Sequence, residues 1–372
     1  MSRTEDGEGA AVRAQDTAAS WGDLVHYWYA AARAEDLGKR PLGRVVLGVR
    51  VVLWRDADGR ARAHRDRCLH RNARLSEGVV VDGCLACPYH GWTYRGDGQV
   101  AGVPSLGPAE AAPSLTLPSF PVREEGGLIW VWVGPRAPTE PELAGRRPFP
   151  MPHWDEPGWG AYYMVTRFDN GVTHLVENFM DVPHTVFVHR GWFRTRASRA
   201  TPIVVERTAD SVLVTYDRPD DAIGWSDKLM NPRGLPLTHT DKFYAPNHTR
   251  VDYLWGAPEA PERAFVITST CTPVSREQTE VFTLISFKLG AWNTLARLWL
   301  PPYTRKVIGQ DVAIMKNQGD NLRHHGDVDA IAGFHGTSAD WLHEDIEALR
   351  AHAQWPVGPG PEPRVRRTVI WV

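Results

Sequence analysis

Three of the four cysteines of this chain lie in one short segment, CLHRNARLSEGVVVDGCLACPYH, residues 68 to 90. Cys68 is followed two residues later by His70, and Cys87 is followed three residues later by His90. Each pair places a sulfur and an imidazole nitrogen close enough to bind one metal centre. The ligand types alone are compatible with either a zinc ion or a [2Fe-2S] cluster.

The pairing of the ligands favours the cluster. Zinc modules usually pair cysteine with cysteine and histidine with histidine, whereas each half of this segment contains one of each. That arrangement suits two thiolates on one iron and two imidazoles on the other. The competing pair is Cys84 with Cys87, which would form a zinc knuckle but would leave Cys68 and both histidines without a role. We therefore interpret Cys84 as a small, half-buried strand residue.

A second group of possible metal ligands lies in HLVENFMDVPHTVFVHRGW, residues 174 to 192. In one regular helix His184 and His189 would be about 140° apart around the axis, so a shared metal requires a broken helix. Pro183 can cause that break, because proline lacks a backbone donor and disfavours helix in the residue before it. The alternative is that both histidines simply pack within an aromatic-rich helix.

Non-haem iron sites that keep open coordination positions commonly combine two histidines with one carboxylate. Helical periodicity in RKVIGQDVAIMKNQGDN, residues 305 to 321, places Asp311 on an apolar face, and a Gly-Asp-Asn sequence predicts the end of this helix. An unpaired carboxylate on such a face is costly, which indicates that Asp311 binds a cation. Asp320 and Asp327 are the alternative ligands.

The hydrophobic pattern predicts two domains. Short strands and turns between Val45 and Val133, with RVVLGVRVVLWR as one β-branched run and a hairpin turn at DADG, predict an all-β domain whose loops carry the cysteines. Beyond a proline-rich stretch, hairpin-spaced strands at 202 to 217, 248 to 255, 264 to 272 and 279 to 288 predict an α+β domain. The predicted organisation is a flexible tail 1–20, a first domain 21–135, a linker 136–152 and a second domain 153–372.

Composition excludes several classes of protein. The 372 residues carry a net charge of -2, without the basic surplus that nucleic acid binding needs. The sequence contains neither an apolar run long enough to span a membrane nor a secretory h-region. With so few cysteines, a disulfide framework is not expected, and we predict a cytoplasmic protein.

The sequence CLHR followed by CPYHGW resembles the cluster-binding motif of Rieske domains in the Rieske non-haem iron oxygenases. The 174 to 192 segment and QDVAIMKNQ are similar to the iron-binding parts of the same family. The resemblance implies an all-β Rieske domain followed by an α+β helix-grip catalytic domain with an antiparallel sheet. It assigns the [2Fe-2S] cluster to Cys68, His70, Cys87 and His90. It assigns mononuclear Fe(II) to His184, His189 and Asp311.

The resemblance also implies an assembly. In such enzymes the aspartate before the two iron histidines, here Asp181, links a Rieske histidine of one subunit to an iron histidine of its neighbour. A carboxylate that accepts hydrogen bonds from both imidazoles couples the metals and orients the ligands. A homotrimer is therefore expected. Asn178 either lines the iron pocket or packs and caps the helix.

The implied activity is that of an oxygenase component, which uses O2 to hydroxylate an organic substrate of polycyclic or natural-product type. The chain contains neither a dinucleotide fingerprint nor a plant-type iron-sulfur motif. Electrons must therefore come from a separate NAD(P)H-dependent reductase, directly or through a ferredoxin. Oxidative demethylation or cyclisation at the same iron is the near alternative. A Rieske electron-transfer protein without oxygenase activity is the more distant one.

Overall fold

The computed structural model describes residues 20–107, 110–134, 139, 146–192, 199–220, 227–326 and 334–372. The chain forms two compact units, Met1–Pro150 and Met151–Val372, and the division falls inside the predicted linker. Residues 1–19 of the predicted tail lie outside the described residues. No helix in the described ranges is long and apolar enough to cross a membrane.

The first unit contains three small antiparallel sheets with the strand orders β1-β11-β10, β2-β3-β4-β9 and β5-β6-β7-β8. The strands are β1 Trp28–Arg33, β2 Leu42–Val46, β3 Val49–Arg55, β4 Ala61–Arg65, β5 Val79–Val81, β6 Cys84–Ala86, β7 Thr93–Tyr94, β8 Val100–Gly102, β9 Ser119–Phe120, β10 Val122–Glu125 and β11 Leu128–Trp132. Short 3-10 helices span Gly22–His26, Ala34–Asp36 and Leu75–Glu77.

The β-branched run RVVLGVRVVLWR contains a turn as well as strand residues. The run is divided into β2 and β3, which pair as a hairpin around Leu47 and Gly48. Both residues have positive φ, 50° and 78°, which is the conformation that tight two-residue hairpin turns require. The predicted hairpin at DADG is confirmed, because β3 pairs with β4 across it.

Strand β3 separates two apolar cores, because successive side chains of a strand point to opposite faces. Val51 and Leu53 pack on one side in a core that includes residues of β1 and β11. Val52 and Trp54 pack on the other side with Cys68, Cys87 and Tyr94. The segment that carries the proposed cluster ligands is therefore anchored on a buried strand.

The second unit is built on one eight-stranded antiparallel sheet with the order β12-β18-β17-β16-β15-β14-β13-β19. Its strands are β12 Gly160–Phe168, β13 Ala200–Arg207, β14 Ser211–Tyr216, β15 Leu237–Tyr244, β16 His248–Trp255, β17 Arg263–Ser275, β18 Gln278–Lys288 and β19 Arg364–Trp371. Its α-helices are α1 Val172–Met180, α2 Asp227–Met230, α3 Asn293–His325 and α4 Trp341–Gln354, with 3-10 helices at Pro183–Val186, Gly290–Trp292 and Ser338–Asp340.

Helix α3 is longer than the predicted helix at both ends. It begins at Asn293 although Pro301 and Pro302 lie inside it, and it continues to His325 before Gly326 adopts a left-handed conformation. The predicted stop at Gly-Asp-Asn was therefore wrong. Leu300 and Tyr303 pack in the core of this unit. This tertiary packing outweighs the poor local helix propensity of the two prolines.

Candidate active site

Two loops of the first unit bring the predicted cluster ligands together. The loop after β4 carries Cys68 and His70, and the turn between β6 and β7 carries Cys87 and His90. Each loop closes on its cysteine: the Asn72 amide donates to the Cys68 carbonyl at 3.0 Å, and the Gly91 amide donates to the Cys87 carbonyl at 3.1 Å. These bonds hold both cysteines in tight, similar turns.

The side chains fit a cluster with two sulfur and two nitrogen ligands. Both cysteines are buried, whereas His90 is exposed and its ring lies 4.6 Å from that of His70, measured between centroids. His70 Nδ1 is buried and has no hydrogen-bond partner in the described chain, as expected for a nitrogen that binds a metal. The arrangement buries the thiolate side of a Rieske cluster and leaves the imidazole side near solvent.

Sequence reasoning missed the role of Tyr94. Its hydroxyl lies 3.1 Å from Cys68 Sγ and accepts a hydrogen bond from the Leu69 amide at 3.0 Å. Burial, together with the neighbouring Cys68, raises the pKa of Tyr94 above its ordinary value, so the hydroxyl keeps its proton. A cluster-bound Cys68 sulfur would have no proton to give, so Tyr94 would then be the donor. Trp92 stacks on His70 with ring centroids 5.0 Å apart.

The second unit brings the other three predicted ligands together. His184 Nε2 and His189 Nε2 lie 3.3 Å apart, and Asp311 Oδ1 lies 3.5 Å and 3.1 Å from them. Among the described residues this is the group of histidine, cysteine and carboxylate side chains arranged to hold a metal ion. Two imidazoles and one carboxylate are the ligands that suit an open non-haem iron site.

The chain reaches this geometry by breaking the helix, as predicted. Helix α1 ends at Met180, and Pro183 begins a separate short 3-10 helix that contains His184. The break removes the angular separation that a continuous helix would impose on His184 and His189. Asp311 reaches the pair from α3, where it is buried.

The electrostatics of the three side chains indicate a cation site. Burial alone would lower the pKa of His184, but the carboxylates of Asp181 and Asp311 raise it to about 9. Burial would raise the pKa of Asp311, but His184 and His189 lower it below its ordinary value. The site therefore stabilises positive charge at the imidazoles, which a divalent metal supplies.

Three further side chains contact these ligands. Asn178 Nδ2 donates to Asp311 Oδ1 at 3.3 Å, and Asp181 Oδ2 lies 3.6 Å from His184 Nδ1. His189 Nδ1 lies 3.0 Å from Gln310 Oε1, so the imidazole donates to this amide oxygen. Gln310 was not predicted, because neighbouring residues of a regular helix do not share a face.

The alternative ligands do not join the site. The Asp320 side chain is 53% exposed and forms ion pairs with Lys316 and Arg323. Asp327 lies outside the described residues. Asp311 is the carboxylate that the fold brings to the histidine pair.

The three proposed ligands line a cavity of about 120 Å³ between the sheet and helices α1 and α3. Its wall is mainly apolar, with a few hydroxyl and carboxylate groups. Among the aromatic residues of β15 and β16, Tyr253 lines the cavity, Trp255 is buried in the core and Tyr244 is half-buried.

Known family models match both units of the chain. Residues 27–121 match the Rieske [2Fe-2S] domain, and residues 171–332 match the vanillate O-demethylase oxygenase C-terminal domain. The chain belongs to the Rieske non-haem iron oxygenases. The predicted fold of this Rieske oxygenase, an all-β domain followed by an α+β domain, is confirmed, and its cofactors are a [2Fe-2S] cluster and mononuclear iron.

Several known proteins are similar to this Rieske oxygenase. The oxygenase component of dicamba O-demethylase from Stenotrophomonas maltophilia is 39% identical over 60% of this chain and 61% of its own. 4β-Methylsterol monooxygenase from Methylococcus capsulatus is 28% identical over 91% of this chain and 92% of its own. The match spans about half the length of some other curated relatives.

The crystal structure of dicamba monooxygenase bound to dicamba superposes with a TM-score of 0.73 at 24% identity. It covers 89% of this chain and 97% of the other. At this level of identity the superposition shows a shared fold.

Proposed function

We propose that the chain is the oxygenase component of a Rieske oxygenase system that hydroxylates an organic substrate with O2. The observation that carries this proposal is the convergence of two imidazole nitrogens and one carboxylate oxygen on the wall of an apolar cavity. A bare electron carrier has no need of such a site.

His184, His189 and Asp311 are the proposed iron ligands. Bound iron supplies the activation of O2. Asn178 and Gln310 hold Asp311 and His189 in place, as groups that hydrogen-bond to metal ligands commonly do. The apolar wall excludes water and orients the substrate next to the ligands.

Cys68, His70, Cys87 and His90 are the proposed ligands of the [2Fe-2S] cluster. Asp181 is the proposed electron bridge, and a homotrimer is the proposed assembly. The contact between Asp181 and His184 Nδ1 supports this role, because His184 Nε2 is directed at the metal site. Asp181 thus lies beside the ring nitrogen that remains available for a carboxylate contact.

The proposed partners are O2, the organic substrate and a separate NAD(P)H-dependent reductase, which delivers electrons directly or through a ferredoxin. The protein is proposed to be cytoplasmic. Dicamba O-demethylase is described as an oxygenase component, and such a component needs a source of electrons outside the chain.

The volume of the cavity limits the size of the substrate that can bind without rearrangement. Its volume is close to that of cavities that hold one aromatic ring, about 150 Å³. A compact ring fits without rearrangement, whereas a polycyclic frame requires the cavity to widen. Oxidative demethylation is the second candidate reaction, since two relatives are named O-demethylases. It begins with hydroxylation of a methyl group, and formaldehyde released in equal amount to the product identifies it.

The test is an EPR spectrum of anaerobically purified, chemically reduced protein before and after addition of nitric oxide. A Rieske signal together with a high-spin iron-nitrosyl signal supports the oxygenase. Asp311→Ala is expected to lose the nitrosyl signal and keep the Rieske signal, while the matched variant Asp320→Ala keeps both. A Rieske signal without nitrosyl in iron-replete wild-type protein would indicate an electron carrier, and neither signal would indicate zinc.

A further inference from the structure

Among the described residues, the cavity is lined by one carboxylate, Asp241, that is neither a proposed iron ligand nor the proposed electron bridge. Asp241 of β15 lines the same cavity as the proposed iron ligands but is not part of the metal-binding group. It pairs across the sheet with Val214 and Val251, and that row continues through Ile267 and Ile285. Asp241 is the charged residue in an otherwise aliphatic row of five.

Two hydrogen bonds hold the Asp241 carboxylate in place. Tyr216 Oη donates to Oδ2 at 2.8 Å, and His239 Nε2 lies 3.1 Å from Oδ1. Tyr216 and Tyr253 stack on the two faces of the His239 ring, with centroid distances of 4.3 and 4.4 Å. A carboxylate offers about four lone-pair positions, so it has acceptor capacity beyond these two contacts.

In the part of the chain that the structure describes, a buried aspartate on the neighbouring strand β16 has cationic partners, unlike Asp241. Asp252 is 1% exposed, and Lys242 Nζ at 2.9 Å and Arg250 Nε at 2.6 Å balance its charge. Asp241 is equally buried, but no lysine or arginine in the described ranges lies within ion-pair distance of it. A buried carboxylate without such a cation is costly unless another group satisfies it.

We propose that Asp241 determines substrate class: it accepts a hydrogen bond from an ammonium, amine or hydroxyl group of the substrate, and it excludes substrates that present a carboxylate there. The proposal rests on the oxygenase function proposed above. A donor placed beside Asp241 satisfies an acceptor that faces an apolar cavity, whereas a carboxylate would bring two negative charges together away from water. Asp241 thereby fixes one end of the substrate in the cavity that the iron ligands line.

The expected discrimination is large enough to measure. Hydrogen bonds to charged groups change affinity by about tenfold or more, and a buried like-charge contact adds to that difference. Replacement of Asp241 by asparagine removes the charge and retains the shape. The preference between donor and carboxylate ligands is therefore expected to collapse in Asp241→Asn.

The experiment uses iron-loaded full-length protein and two matched pairs of ligands, benzylamine with benzoate and 2-naphthylmethylamine with 2-naphthoate. Calorimetric titration is expected to show that the wild type binds at least one amine about tenfold or more tighter than its matched carboxylate. In Asp241→Asn this ratio is expected to fall below about threefold. The control is Thr249→Val, which alters another cavity side chain without a change of charge and is expected to keep the wild-type preference.

The iron-nitrosyl EPR signal of the same samples separates the two proposals. A normal nitrosyl signal with no amine preference in the wild type, or with an unchanged preference in Asp241→Asn, overturns the role of Asp241 and leaves the oxygenase intact. If the amine preference is lost in Asp241→Asn but the wild type gives no nitrosyl signal, the proposed role of Asp241 is supported and the proposed oxygenase function is overturned.

Discussion

Asp181 and His184 face each other across the break that follows α1, with Asp181 Oδ2 3.6 Å from His184 Nδ1. The other ring nitrogen of His184 lies 3.5 Å from Asp311 Oδ1. His184 is thus placed between two carboxylates with different proposed tasks, one that holds iron and one that relays electrons.

Replacement of Asp181 by asparagine is expected to leave both metals bound and to lower turnover by about 10 to 100-fold, because the charged carboxylate beside His184 that is proposed to couple the two metals is lost. Rapid-mix measurement of cluster reoxidation, with EPR of both metal sites, checks this. Asp320→Asn removes an exposed carboxylate of the same unit and is expected to turn over normally. Full turnover in Asp181→Asn would remove this residue from the electron route.

Gln310 is expected to control iron affinity through His189. Its Oε1 atom accepts from His189 Nδ1, and Gln310→Leu removes that acceptor. Loss of such a partner typically weakens metal binding by about 10 to 100-fold. Competition with a chelator measures the change. Gln310→Glu restores an acceptor and is expected to recover most of the affinity, and equal weakening in both variants would contradict the hydrogen-bond explanation.

Tyr94 is expected to raise the reduction potential of the cluster. A donor to a ligand sulfur stabilises the more negative, reduced state, so Tyr94→Phe is expected to lower the potential by tens of millivolts, on the order of one weak hydrogen bond. Spectroelectrochemical titration of the cluster measures it. Trp92→Phe, which keeps an aromatic ring beside His70, is the comparison. A potential equal to that of the wild type in Tyr94→Phe would show that the hydroxyl does not donate to Cys68.

Acid is expected to destabilise the second unit through His248. Burial lowers the pKa of His248 from 6.5 to about 3. In the unfolded chain the His248 imidazole takes up a proton as the pH falls through 6.5, whereas in the folded protein it stays neutral until about pH 3. The free energy of unfolding therefore decreases as the pH falls from 6.5 to about 3. Between pH 7 and pH 5 the loss from His248 is roughly 2 kcal/mol.

Urea unfolding at pH 7, 6 and 5 tests this contribution. His248→Gln is expected to show a pH dependence smaller by that amount, whatever its stability at pH 7. His335→Gln, at an exposed position, is expected to retain the wild-type dependence. The same pH dependence in His248→Gln and in the wild type would mean that His248 does not titrate as its burial implies.

The sequence predicted candidate ligands most directly where they lie close along the chain or where the geometry of a helix relates them. Cys68 with His70, and Cys87 with His90, lie close along the chain, and the break at Pro183 follows from the geometry of a helix. Asp311 lies more than a hundred residues from His184, yet a carboxylate on an apolar helix face indicated a cation. In each case a short-range rule was sufficient.

The residues that were missed depend on long-range register. Asp241 lines the cavity because β15 pairs with β14 and β16 in one particular alignment, and alternation along a strand cannot determine that alignment. Tyr94 lies on β7 and contacts Cys68, which is 26 residues earlier in the loop after β4. Helix α3 extends through two prolines because its side chains pack in the core, which local propensity does not report.

The proposed iron ligands come from α3 and from the broken segment after α1, whereas much of the cavity wall comes from strands β15 to β18. Every second residue of those strands can change without a change in the groups that hold the metal. Gene duplication followed by point substitution in four strands could therefore yield enzymes for new compounds while the oxygen chemistry is inherited intact. This separation makes the architecture readily evolvable, and it identifies those strands as the positions to randomise in a library that seeks new substrates.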